Sequence, residues 1–113
     1  KKDIVDTDIG LDFINALRPV KFRGVNQHDW PEKIRNVGNR ERRDDVLDML
    51  DGFIAQDVKA AMDKFGVTFD AWSEEKSSLQ RLGYSKFVVP LTKAVQELSA
   101  KLDAMQEEIN NLK

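Results

Sequence analysis

The sequence has no cysteine, a single histidine and only three prolines among its 113 residues. Without cysteine there is no disulfide framework and no thiolate ligand for zinc. The lone His28 stands beside Asp29 in a polar stretch, which is more typical of a surface residue than of a metal ligand or a general base. The sequence also lacks a phosphate-binding glycine loop, a G-x-S-x-G elbow and an H-E-x-x-H motif. We therefore expect no metal and no cofactor.

Long apolar runs and a strong net charge are missing as well. No run approaches the roughly 20 apolar residues that a membrane-spanning helix needs. The net charge is −2, so no overall field draws the chain to nucleic acid or to an anionic membrane. The apolar share is 41% and the charged share 34%, so a chain of this size buries only a modest core and gains from association. We expect neither a nucleic-acid nor a membrane partner.

Short helices and strands are predicted along the first part of the chain. Residues 8–17 have apolar side chains at helical spacing with Asp8 as the N-cap, and residues 20–23 alternate as a strand does. Residues 26–45 form a long polar excursion, of a kind that is usually functional or ordered by a partner. Further elements are one or two helical turns at 44–50, a helix at 56–65, and strands at 67–72 and 80–84.

The clearest pattern lies in residues 88–112. Apolar residues alternate at spacings of three and four, which is the heptad seam of a parallel coiled coil. The flanking e and g positions are mostly polar, which favours a coiled coil over a helix packed back on its own domain. Pro90 falls in the first turn, where its missing N–H is harmless. The a positions are Val88, Val95, Leu102 and Ile109, and the d positions are Leu91, Leu98, Met105 and Leu112.

The residues at these positions do not decide how many helices associate. Valine or isoleucine at a with leucine at d leans toward a dimer, but Leu102 and Met105 blur that rule. The prediction from the pattern is an oligomer of open strand number.

Three short motifs resemble those of a known family. Residues 17–22 (LRPVKF) are similar to its motif L-x-P-V-x-F. Residues 84–91 (YSKFVVPL), followed by 94–98 (AVQEL), are similar to its motif Y-x-x-L-V-P-L-L…A-I-Q-E-L, in which Tyr84 and Pro90 match. The remaining motif, which is the second in chain order, is close to G-F-I-A-Q-E-V. It consists of Gly52, Phe53, Ile54, Ala55 and Gln56, followed by Asp57 and Val58. The family is the C-terminal intramolecular chaperone and auto-processing domain of phage tailspikes, tail fibres and endosialidases.

The resemblance implies an α+β fold with short strands and helices, and a long C-terminal helix that forms a parallel trimeric coiled coil. Residues 1–86 would be the globular chaperone domain and residues 87–113 the coiled-coil helix. The implied partners are two further copies of the chain and the upstream stalk of the same polypeptide. The chaperone guides folding of that stalk in the host cytoplasm during virion assembly, and is then released from the mature fibre by cleavage at its own N-terminus.

The resemblance also implies a self-cleaving serine peptidase with a Ser–Lys pair. The family cuts before the Ser of a pattern like S-D-x-R-x-K, and Lys1 matches the final Lys, the base. The nucleophilic Ser is then expected upstream of this chain, which by itself should cleave nothing. Whether the chain acts as an enzyme therefore stays open. The alternative is a passive trimerisation or adaptor module that binds a partner through residues 26–45.

Overall fold

The computed structural model describes residues 1–24 and 49–112. We name its three α-helices the first, middle and C-terminal helix. In chain order the elements are the first helix Leu11–Asn15, strands β1 Val20–Phe22 and β2 Leu50–Gly52, the middle helix Ala55–Phe65, strands β3 Trp72–Glu74 and β4 Gln80–Leu82, a 3₁₀ turn Tyr84–Phe87 and the C-terminal helix Val88–Asn111. This confirms the predicted α+β class with a long C-terminal helix.

The strands form two separate antiparallel pairs. β1 pairs with β2, with Val20 opposite Gly52, and β3 pairs with β4, with Trp72 opposite Leu82. Each strand has only three residues. Because an isolated two-stranded pair is marginally stable in water, both pairs depend on packing against the rest of the domain.

The middle helix begins directly after β2 and supplies one buried face. Val58, Ala61 and Met62 lie on that face at helical spacing. The helix ends at Gly66, which takes a left-handed conformation with φ 62°. Glycine is the usual residue there because it has no Cβ to strain in that region.

An aromatic cluster joins the elements in the core. The Phe87 ring lies 5.0 Å from Phe69 in a T-shaped contact and 5.0 Å from Phe53 in a stacked one, and Phe69 meets Phe13 edge-on at 5.6 Å. Phe87, at the start of the C-terminal helix, thus connects three parts of the chain. The buried core comprises Ile9, Phe13, Val58, Ala61, Met62, Phe69, Ala71 and Phe87.

Several sequence-based predictions needed correction. The first helix is shorter than 8–17, and its N-cap is Gly10, not Asp8. Residues 67–71 show the alternating burial of a strand, yet pairing begins only at Trp72, because the backbone turns before it and the Trp72 N–H donates to the Phe69 carbonyl oxygen at 3.2 Å. Leu50 belongs to β2 and not to a helical turn. The excursion 26–45 and the turns predicted up to residue 48 lie outside the described residues.

The C-terminal helix has 24 residues, so it is about 36 Å long. Among the helices in the described ranges, none combines the length and hydropathy needed to cross a bilayer.

Truncation of Phe87 should destabilise the domain strongly. Phe87→Ala removes a ring that is 4% exposed and leaves a cavity between Phe69 and Phe53, for a loss of about 3–5 kcal/mol in the free energy of unfolding. The measurement is urea unfolding at one fixed protein concentration, because association also contributes to stability.

Phe65→Ala is the matched control, since the same ring is 38% exposed there. It should lose less than half as much. Equal losses for the two variants would mean that Phe87 is not the centre of the core.

Candidate functional site: the assembly surface

Gly52 is the point at which the three motifs meet. It pairs with Val20 across the β1–β2 sheet. A Cβ at Gly52 would lie 2.5 Å from the Tyr84 hydroxyl oxygen and 3.0 Å from the Phe22 ring. The Phe53 backbone N–H donates a hydrogen bond of 3.2 Å to that same hydroxyl oxygen, and the Phe53 and Tyr84 rings stack at 6.3 Å. The absence of a side chain at Gly52 is therefore what lets Tyr84 reach the backbone.

The rest of the second motif forms the entry to the middle helix. Ile54 is extended and occupies the N-cap, and its carbonyl accepts from the Asp57 and Val58 N–H groups at 3.0 and 3.1 Å. Ala55 is half-buried and Gln56 is exposed. This motif thus marks the change from strand to helix.

The C-terminal helix has two faces with different surroundings. On the inward face Pro90 and Ala94 are buried, and Lys93 and Glu97 are half-buried. Every residue from 98 to 112 is exposed. The seam residues are all between 46% and 86% exposed: Val88, Leu91, Val95, Leu98, Leu102, Met105, Ile109 and Leu112.

This exposed apolar seam is unusual for a surface. Single exposed apolar side chains are normal, whereas a contiguous row of them marks an interaction site. The helix does pack back on its own domain, but through Pro90 and Ala94 and not through the seam. Self-packing therefore accounts for the small inward residues and leaves the heptad pattern unused. Assembly through the seam stays a prediction.

Two charged residues on the inward face hold the segment that precedes the first helix. The Lys93 ammonium donates to the Thr7 carbonyl oxygen, and the Leu11 N–H donates to Glu97 Oε1 at 3.3 Å. A Cβ at Gly10 would lie 1.9 Å from the same Glu97 oxygen, so glycine allows this approach.

Sequence reasoning missed both roles. Glu97 supplies an acceptor at the helix start where we expected Asp8, and it does so from 86 residues along the chain. The one available signal was the AVQEL motif, which marks Glu97 without saying what it contacts.

Lys1, the candidate base, is exposed in the segment that precedes the first helix. The structure brings Gly52, Phe53 and Tyr84 together, but Lys1 is not part of that junction. Within residues 1–24 and 49–112, no group of three or more His, Cys, Asp or Glu side chains is arranged to hold a metal ion.

A family model matches residues 1–67, more than half of the chain, and the family is described as the chaperone of endosialidase. The chain belongs to this family. The match takes in the first two motifs, and the third, at residues 84–98, lies beyond it. No curated protein and no solved structure matched the chain. Membership makes this a chaperone domain and implies association with an endosialidase or a tail-fibre stalk.

Adding a methyl group at Gly52 should disrupt the junction of the three motifs. Gly52→Ala places a Cβ against Tyr84 and Phe22, so the Tyr84 ring must move and its bond to the Phe53 N–H is lost. We expect a loss of about 1–3 kcal/mol in the free energy of unfolding, measured by urea denaturation.

Gly83→Ala serves as the control because a Cβ there meets nothing closer than 3.8 Å and its φ is −100°. It should be neutral, or stabilising by up to about 1 kcal/mol, through a less flexible unfolded chain. The assignment of the junction is wrong if Gly83→Ala costs as much as Gly52→Ala.

Proposed function

We propose that this chaperone domain assembles through its C-terminal seam into a parallel homotrimer that guides folding of a stalk upstream in the same polypeptide. The observation that carries the proposal is the row of eight exposed apolar residues on a helix that packs on its own domain only through the opposite face of its first part, at Pro90 and Ala94. Family membership supports the chaperone role.

The arrangement of the helix faces suits a central bundle. Because Pro90 and Ala94 pack against the protomer's own core, each globular part would lie outside the bundle with its seam turned to the axis. Burying the seam in knobs-into-holes packing removes apolar surface from water, which favours association. The heptad residues leave the strand number open, and the resemblance to the tailspike and tail-fibre family favours three.

Trimerisation gives the domain a physical means of acting as a chaperone. An intertwined β-rich stalk pairs residues that are far apart in sequence, so it folds slowly and exposes strand edges on the way. A bundle that joins three chains converts encounters between stalks into intramolecular events at high effective concentration. The chaperone would align the three stalk chains, a step that is slow for the stalk alone.

Release of the chaperone by self-cleavage is the second part of the proposal. In a precursor with the family's Ser ahead of Lys1, the Ser hydroxyl attacks the carbonyl carbon of the preceding residue. Lys1 accepts the hydroxyl proton and passes it to the Ser amide nitrogen, which leaves as a free amine when the C–N bond breaks. Water then hydrolyses the ester, which leaves a carboxylate on the stalk and the Ser on the chaperone.

One condition follows for this step. Lys1 must be a neutral amine, and since it is exposed in the protomer, the desolvation has to come from a neighbouring subunit or from the stalk. After release, the stalk no longer carries the domain that aligned its chains, so it could not refold once unfolded. The folded stalk would therefore be stable because it unfolds slowly. We place these events in the host cytoplasm during virion assembly, with the domain absent from the mature fibre.

Charges in the middle of the seam should dissociate the assembly. In Leu98→Asp/Leu102→Asp each carboxylate would face the apolar axis without a partner, at a cost of about 3 kcal/mol or more per charge. Light scattering should give a mass near three times 12.9 kDa for the unaltered chain and near 12.9 kDa for the variant.

The control is Ala100→Asp, which adds the same charge to an exposed position on the side of the helix away from the seam. It should remain a trimer. A trimeric double variant would exclude the seam as the main interface, and a dimeric unaltered chain would favour the adaptor function.

Expression of the stalk with and without this domain in the same polypeptide separates a chaperone from a passive trimerisation module. The stalk should be soluble and protease-resistant when made with this domain, and largely aggregated when made alone or with the Leu98→Asp/Leu102→Asp domain. The measurement is the amount of protease-resistant stalk trimer at equal expression. If the stalk made without the domain is equally resistant, the domain is a passive trimerisation module and not a chaperone.

A further inference from the structure

The turn of the C-terminal helix at residues 93–97 combines two functions in one stretch. Lys93 and Glu97 are four residues apart, a spacing at which opposite charges on a helix readily pair with each other. Here each bonds instead to the backbone that leads into the first helix, at Thr7 and Leu11. We call this set of four residues the clamp.

The clamp fixes the position of a segment, residues 7–11, that hydrophobic burial already attaches to the domain. Ile9, between Thr7 and Leu11, and Phe13, two residues after Leu11, are buried in the core, and that burial holds the segment to the domain. Hydrophobic burial is non-directional, whereas hydrogen bonds fix distance and angle. Both clamp bonds are partly buried and involve a charged group, so they are stronger and less screened than surface pairs. Together they fix the position of residues 7–11 along the helix.

The same turn also contributes to the seam. Val95 lies between the two clamp residues in sequence, points away from the domain and is 64% exposed. When three seams align at Val95, three Thr7 carbonyls are brought to the same height around the bundle. The chain continues from Thr7 toward Lys1, in the direction of the proposed stalk.

We propose that Lys93 and Glu97 are positioning residues that transfer the register of the assembled helices to the N-terminal segment, and so to the stalk. This inference rests on the proposed function. It separates the two faces of the helix: the seam joins the chains, and the clamp sets where each chain leaves the assembly.

The test uses the full precursor, stalk and chaperone together, with Lys93→Met and Glu97→Met. Methionine keeps the length of each side chain and removes the donor or the acceptor. The mass should remain that of a trimer, while the amount of protease-resistant stalk falls about tenfold, the factor expected when a hydrogen bond to a charged group is lost. Lys93→Arg and Glu97→Gln, which keep the donor and the acceptor, should restore it.

The controls are Asp103→Met and Glu107→Met, at exposed positions of the same helix away from the seam. Neither should change the amount of resistant stalk. Hydrogen exchange gives a local measurement, because the Leu11 amide bonds to Glu97. Its exchange should speed up at least about tenfold in Glu97→Met and stay unchanged in both controls.

The outcomes separate the inference from the proposed function. If the unaltered domain raises the amount of resistant stalk and the Met variants raise it equally, only the inference is overturned. If the unaltered domain itself has no effect, the proposed function fails first.

If the Met variants lose the trimer, the decision rests on Gly10→Ala, which changes no residue of the C-terminal helix. Gly10→Ala checks that result independently. Its Cβ displaces the Glu97 carboxylate, while the amino-acid sequence of the C-terminal helix is unchanged. A trimeric Gly10→Ala precursor with little resistant stalk supports register transfer, and one with a normal amount overturns it.

Discussion

The C-terminal helix can bury only one side against its own domain, and the rest of the structure depends on this constraint. The inward side uses small or cyclic residues, Ala94 and Pro90, which allow the helix to lie close to the core. Phe87 then enters the aromatic cluster from the preceding turn. The apolar residues of the heptad are left on the outer side, so folding within one chain and the proposed joining of several chains would depend on separate residues.

A second link is the contact between Gly52 and Tyr84. The hydrogen bond from the Phe53 N–H to the Tyr84 hydroxyl spans 31 residues, and it ties the β1–β2 sheet to the start of the C-terminal helix. The position of the start of the C-terminal helix therefore depends on the β1–β2 sheet, which contains residues of the first two motifs. A chaperone whose helix docks only when its small domain is folded would present an aligned seam and a folded domain together.

The parts of this fold that could be predicted from the sequence are those set by local periodicity. The seam and the middle helix follow from spacing alone, because their apolar side chains recur at the helical period. Contacts across long separations gave no such signal. Glu97 replaces Asp8 at the first helix although Glu97 and Leu11 are 86 positions apart, and residues 67–71 alternate like a strand but end in a turn. Resemblance to the family motif pointed to Gly52, but only the structure shows that Gly52 leaves room for the Tyr84 side chain.

The fully exposed end of the C-terminal helix, residues 98–112, has a further consequence for when the domain acts. A helix of that length without tertiary contacts is marginal in water, so its helical order and the proposed association with other copies would be gained together. In a three-chain reaction the amount assembled rises with the cube of the free chain concentration. The domain would thus behave as a concentration threshold: dilute chains stay apart, and chains that are made close together assemble almost at once.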